Sequence, residues 1–167
     1  MGGHIKVFGD GRLVFGAQTF RCALGRAGIA EMKREGDGHT PAGRFPLRRV
    51  LYRPDRSAAP VTALPVEPLR PDMGWCDDPD SRYYNRPVVL PCRARHEVLW
   101  RGDGLYDVVV VVGHNDRPPV AHMGSAIFLH VARPDWGFTE GCVALALPDL
   151  LAVLAGCGPE TLIEIAA

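Results

Sequence analysis

The chain is predicted to be mainly β, one domain over residues 1–167 with a single short C-terminal helix and an irregular central insertion at about 52–105. Three observations point this way. Glycine and proline number 19 and 15, a load of turn formers that suits many short strands better than a helical bundle. Five of the eight residues 106–113 are valine, and β-branched side chains fit a pleated sheet. The chain shows no heptad pattern, internal repeat or low-complexity tail.

Residues 4–8 and 12–15 read as a hairpin around Gly9-Asp10-Gly11, and residues 18–23 as a third strand. A long polar connection runs from Gly25 to Gly43, followed by an alternating strand over 44–52. Residues 54–105 are rich in Pro, Arg and Asp, with Trp75, Tyr83, Tyr84 and Trp100 among them. Aromatics at that density are costly to leave in water, so the stretch reads as a lid and not a linker. The valine run at 106–113 belongs at the centre of a sheet with both faces buried. A strand over 125–131 carries His130 at its end. Pro148-Asp149 opens a helix through 150–155, which Gly156 and Gly158-Pro159 stop, and 161–165 is a terminal strand.

Acidic and basic residues balance at 19 each, which gives no reason to expect nucleic acid or an anionic membrane as partner. Residues 1–20 hold no apolar run of the about 7–15 residues an export signal needs. The longest apolar run, Val108–Val112, is far too short to cross a bilayer. The expected location is therefore the cytoplasm. Five cysteines (Cys22, Cys76, Cys92, Cys142, Cys157) form an odd set without CxxC spacing, which argues against a disulfide framework and fits a reducing compartment. Gly2-Gly3-His4 could chelate copper once Met1 is removed, but we assign it no function.

The chemistry centres on Cys142, in Thr139-Glu140-Gly141-Cys142-Val143, with His130 twelve positions upstream. A thiol attacks as its thiolate, which a nearby imidazole can generate. A glycine before it allows a tight backbone turn, so that the N–H groups of Gly141 and Cys142 could meet a developing oxyanion. His130 would serve as general base and then as general acid toward the departing amine. His114, His122, His130 and Cys142 could in principle gather around zinc, but their spacing matches no compact zinc signature, so no metal is expected.

This motif, together with Thr40-Pro41-Ala42-Gly43-Arg44-Phe45 and the closing helix and strand, resembles the L,D-transpeptidase (YkuD-type) catalytic domain family over about residues 5–50 and 106–167. It departs from the family at Val131, where a Gly usually follows the His, and at Ala144, where an Arg usually stands. The resemblance implies a compact mixed β-sandwich or barrel-like fold, no cofactor, and attack on the L,D bond before the terminal D-alanine of a peptidoglycan stem tetrapeptide. It also implies a carbapenem as covalent inhibitor and a backbone carbonyl as the group orienting the His. Hydrolysis would make the protein an L,D-carboxypeptidase of bacterial peptidoglycan recycling, the reading that a cytoplasmic location favours. The alternatives are a cross-linking transpeptidase and a non-catalytic cell-wall peptide-binding module. Expected substrate contacts are His114, Asn115, Ser125, Thr139, Tyr84 and Arg86. With Ala144 in place of Arg, Arg86 is assigned the substrate carboxylate through a bidentate pair, with Arg44 and Arg133 next in line.

Overall fold

The computed structural model describes residues 3–167, so Gly2 of the N-terminal tripeptide lies outside the described residues. Strands β1 (Ile5–Phe8), β2 (Arg12–Phe15) and β3 (Gln18–Ala23) form an antiparallel meander, as the hairpin chemistry predicts. The polar connection contains two short strands in parallel, β4 (Ile29–Ala30) and β5 (Thr40–Pro41). Next come the ten-residue β6 (Gly43–Tyr52), then β7 (Val66–Pro68), β8 (Met73–Cys76), β9 (Pro87–Val89) and β10 (His96–Val98). The C-terminal part holds β11 (Val108–Val112), β12 (Phe128–Val131), β13 (Val143–Leu145), α1 (Leu147–Ala155) and β14 (Leu162–Ile165).

Eight strands close into a ring in the order β11-β12-β13-β3-β2-β1-β14-β6, with β6 pairing back to β11. The length of β6 makes closure possible: residues 43–46 pair with β14 and residues 47–52 with β11. Closure leaves no open sheet edge within the ring, and β7 adds alongside β6. The expected mainly β, barrel-like fold with one short helix is what the chain forms.

All five residues of β11 are buried, and alternation along the strand divides them between two cores. Val108, Val110 and Val112 pack with Leu129, Leu145, Ile163 and the α1 residues Leu150, Val153 and Leu154. Val109 and Val111 face the other way, onto Leu51, Phe128, Leu69, Trp75 and Leu99. That second core is roofed by a three-stranded sheet in the order β10-β8-β9. The insertion is therefore more regular than its composition suggests, because its apolar side chains have a barrel face to cover.

Two boundaries differ from expectation. The strand predicted from 125 starts only at Phe128, since Ala126 has φ 54°, outside the β region. The helix begins at Leu147, with Pro148 in its first turn, where a missing N–H costs nothing, and Asp149 against the positive end of the helix dipole. No helix among the described residues is long and apolar enough to cross a membrane.

Candidate active site

Cys142 sits at the entry to β13, and its position is set by a side chain three residues earlier. Thr139 Oγ1 accepts from the Gly141 N–H at 3.1 Å and donates to the Cys142 carbonyl at 2.7 Å, closing the turn. Gly141 has φ 138°, and a Cβ there would lie 2.8 Å from the His39 carbonyl oxygen, so both conformation and space demand glycine. The thiol is buried; it donates to the Ala126 carbonyl at 3.2 Å and accepts from the Phe128 N–H at 3.4 Å. Burial pushes its pKa up to about 12.

His130 lies on β12, in parallel register with Ala144 of β13. Residues 142 and 144 share one face of that strand by the two-residue repeat. The Nδ1 atom of His130 is 2.9 Å from the Val131 carbonyl, which can only accept, so Nδ1 carries the proton and Nε2 is left as the basic nitrogen. Its ring stacks edge-on against Tyr106 at 5.3 Å. Burial lowers the imidazole pKa to about 4.

Cys142 and His130 line one cleft of about 350 Å³. Its walls carry Lys33, Glu35, Glu97, Arg101, Arg133 and Phe138 as well as Ser125, Thr139 and Ala144. The Glu97 carboxyl is pushed up by burial and accepts from Tyr106 Oη at 2.6 Å. Arg101 lies over the Tyr106 ring at 5.0 Å and pairs with Asp103. Glu35 Oε1 accepts from both Tyr84 Oη and Ser125 Oγ at 2.6 Å. A family model, the L,D-transpeptidase catalytic domain (YkuD), matches residues 4–165. The chain belongs to that family. The match runs through the insertion, well beyond the two segments that carry the motifs. No curated protein and no solved structure matches significantly. As a member of the L,D-transpeptidase family, the chain is a peptidoglycan enzyme of the cysteine type.

The structure brings Cys142, His130, Ser125 and Thr139 to one cleft and leaves other expected contacts outside it. Arg86 is exposed and borders a separate cavity of about 200 Å³ with Arg48, Arg49 and Arg117. It stands apart from the thiol because the chain reverses at Asn85, which has φ 56° and turns its own side chain inward. Arg44, on β6, pairs with Glu164. Asn115 spends its amide on its own loop, donating to the Val120 and Gly124 carbonyls at 2.9 Å. His114 packs edge-on against Phe45 at 5.2 Å, with its Nδ1 buried and unpartnered. Tyr84 reaches the cleft only through Glu35 and by accepting from the Gly124 N–H at 2.9 Å. Among the described residues, no three His, Cys, Asp or Glu side chains gather as metal ligands.

The cleft carries charged residues that the sequence reading did not select, among them Lys33, Glu35, Glu97 and Arg101. Asn85, which borders the neighbouring cavity, was likewise not selected, and it organises the backbone there. Its Oδ1 accepts from Trp75 Nε1 at 2.9 Å and from the Ala126 N–H at 3.0 Å, and its Nδ2 donates to the His114 and Asn115 carbonyls at 3.0 and 2.7 Å. Its sequence context is a polar residue directly after two tyrosines, Tyr83-Tyr84-Asn85.

Proposed function

We propose that the protein is an L,D-carboxypeptidase that removes the terminal D-alanine from a stem tetrapeptide, with Cys142 as nucleophile and His130 as its base. The observation that carries this reading is the pair of guanidinium groups, Arg101 and Arg133, on the cleft that holds both residues. A carboxypeptidase must bind a free terminal carboxylate, and a planar guanidinium is its natural partner. Ala144 lies in register beside His130 and lines the same cleft, so the family's usual Arg at this position would point into the space that Arg101 and Arg133 border.

Near pH 7 the free enzyme holds a neutral thiol and a neutral imidazole, because burial raises the one and lowers the other. The thiol proton therefore leaves for His130 Nε2 as sulfur attacks. The S–C bond forms and the carbonyl π pair moves to oxygen. Collapse then breaks the C–N bond, and His130 returns the proton to the departing amine. Water attacks the thioester in the same manner and releases the tripeptide and the thiol. Five free cysteines suit a reducing compartment, which supports the cytoplasmic recycling reading, with small stem peptides as substrates.

Cross-linking transpeptidation is the second reading, favoured by Glu35, whose carboxylate on the cleft wall suits an acceptor ammonium. Mass spectrometry of tetrapeptide incubated with the enzyme separates the two. Loss of D-alanine to give a free tripeptide is the expected result. A joined dimer of stems instead would make the protein a transpeptidase, and unchanged peptide would leave a binding module. Adduct formation by a carbapenem at Cys142 is expected in the first two cases.

A further inference from the structure

The oxyanion site at Cys142 is one donor short. The two N–H groups adjacent to a nucleophile after glycine are its usual makings, but here the Gly141 N–H is directed to Thr139 Oγ1 at 3.1 Å. That hydrogen bond closes the turn that presents the thiol, so it cannot be released without disturbing Cys142. A different group stands beside Gly141. Lys33 is only 6 % exposed, lines the cleft, and carries its Nζ 3.3 Å from where a Gly141 Cβ would be. Its stem reaches there by passing Gly124, where a Cβ would meet Lys33 Cγ at 2.9 Å.

Asp37 aims the ammonium. Its Oδ1 accepts from Lys33 Nζ at 2.6 Å and from the His39 N–H at 2.9 Å, and its Oδ2 accepts from the Arg34 N–H at 2.7 Å. The carboxylate is thereby fixed in a turn and holds one ammonium proton. An ammonium has three protons to donate, so two are left for the cleft. Burying a lysine this far costs free energy that one ion pair seldom recovers, which points to a use for the charge.

We propose that Lys33 Nζ completes the oxyanion site, donating to the oxygen of the tetrahedral adduct on Cys142 in place of the Gly141 N–H. This rests on the cysteine acyl-transfer reading above. When sulfur adds to the carbonyl carbon, the π pair moves to oxygen, and the ammonium meets that charge without giving up its proton. On collapse the pair returns to re-form the carbonyl as the C–N bond breaks. Lys33 is then a catalytic residue supplied by the polar connection between β3 and β6, in the segment Lys33-Arg34-Glu35-Gly36-Asp37-Gly38.

The test compares two reactions of the same thiol. Acylation by a p-nitrophenyl ester passes through a tetrahedral oxyanion whatever the natural substrate, whereas alkylation by iodoacetamide is displacement at a saturated carbon and forms none. Lys33→Met is expected to slow single-turnover acylation about 100-fold, with alkylation close to the parent rate, and Lys33→Arg to recover part of the loss. Unchanged acylation would overturn the proposal. So would alkylation that slows in step with acylation, since Lys33 would then act on the thiolate and not on the adduct. Alkylation also reports an intact site, and Lys33→Gln carries the same test should the Met variant not fold. Failure of the parent to release D-alanine would count against the carboxypeptidase reading alone, because the ester arm does not depend on it.

Discussion

Cys142 contributes one small buried side chain to the second core and, in the mechanism proposed, the whole of the nucleophile. Cys142→Ala is therefore expected to abolish D-alanine release while the thermal midpoint moves by only a few degrees. Residual turnover in that variant would remove Cys142 from the role. The neighbouring histidines make the fold sensitive to acid. Burial lowers both His130 and His114 to about 4, against about 6.5 for an unfolded chain. The folded protein thus prefers both rings neutral, and the stability this gives is present above about pH 6.5 and lost as pH falls through about 4. His114 has an unpartnered Nδ1 and no place on the cleft, so it can be changed without touching the thiol. His114→Gln is expected to flatten the fall in urea midpoint between pH 7 and pH 4.5, and an unaltered slope would assign the acid sensitivity elsewhere.

At the scale of elements, the decisive piece is the turn between β12 and β13. Parallel strands adjacent in a sheet need a crossover, and here residues 132–142 make it as a loop that returns beside β12 with the thiol at its end. Thr139 pins the loop from within through Gly141 and Cys142. From outside, the Arg26 N–H donates to the Thr139 carbonyl, and the Thr139 N–H donates to the Leu24 carbonyl. Gly141 has no room for a side chain, with φ 138° and the His39 carbonyl 2.8 Å from a Cβ. Gly141→Ala is expected to cost about 1–3 kcal/mol of stability and to reduce turnover far more than that cost alone, because the strain is relieved by moving Cys142. Chemical denaturation alongside steady-state kinetics checks both. Parent-like turnover in a destabilised variant would show that the turn tolerates the shift.

At the scale of the molecule, the insertion and the barrel are joined at the candidate active site through Asn85. All four of its hydrogen-bonding positions are used, and one of them holds the N–H of Ala126, a non-glycine residue at φ 54°. Ala126 in turn presents the carbonyl that receives the Cys142 thiol. Asn85→Ala leaves the Trp75 and Ala126 N–H groups buried without partners, at a cost of about 3 kcal/mol. Hydrogen exchange is expected to quicken in β8, β9 and residues 124–126 while β1–β3 remain protected, with turnover reduced. Uniform loosening of the whole chain would mean that insertion and barrel fold as one unit.

Much of this was legible in the chain itself. The valine strand, the hairpin chemistry and the Thr139-Glu140-Gly141-Cys142 turn are local patterns, where the two-residue repeat and the conformational needs of glycine act within a few residues. They carry the resemblance to the family, the barrel-like architecture and the candidate pair Cys142 and His130. The walls of the cleft are a different matter. Lys33 and Glu35 come from the polar connection, Glu97 and Arg101 from the insertion, and Arg133 from the loop after β12. They meet only because β6 pairs with both β14 and β11 and closes the ring. Arg86 looked apt from its aromatic neighbours, yet it borders a separate cavity, while Tyr84 beside Asn85 bonds to Glu35 of the cleft. Sequence distance carries no record of such encounters, since charged side chains on polar segments have no periodicity to betray the direction they face.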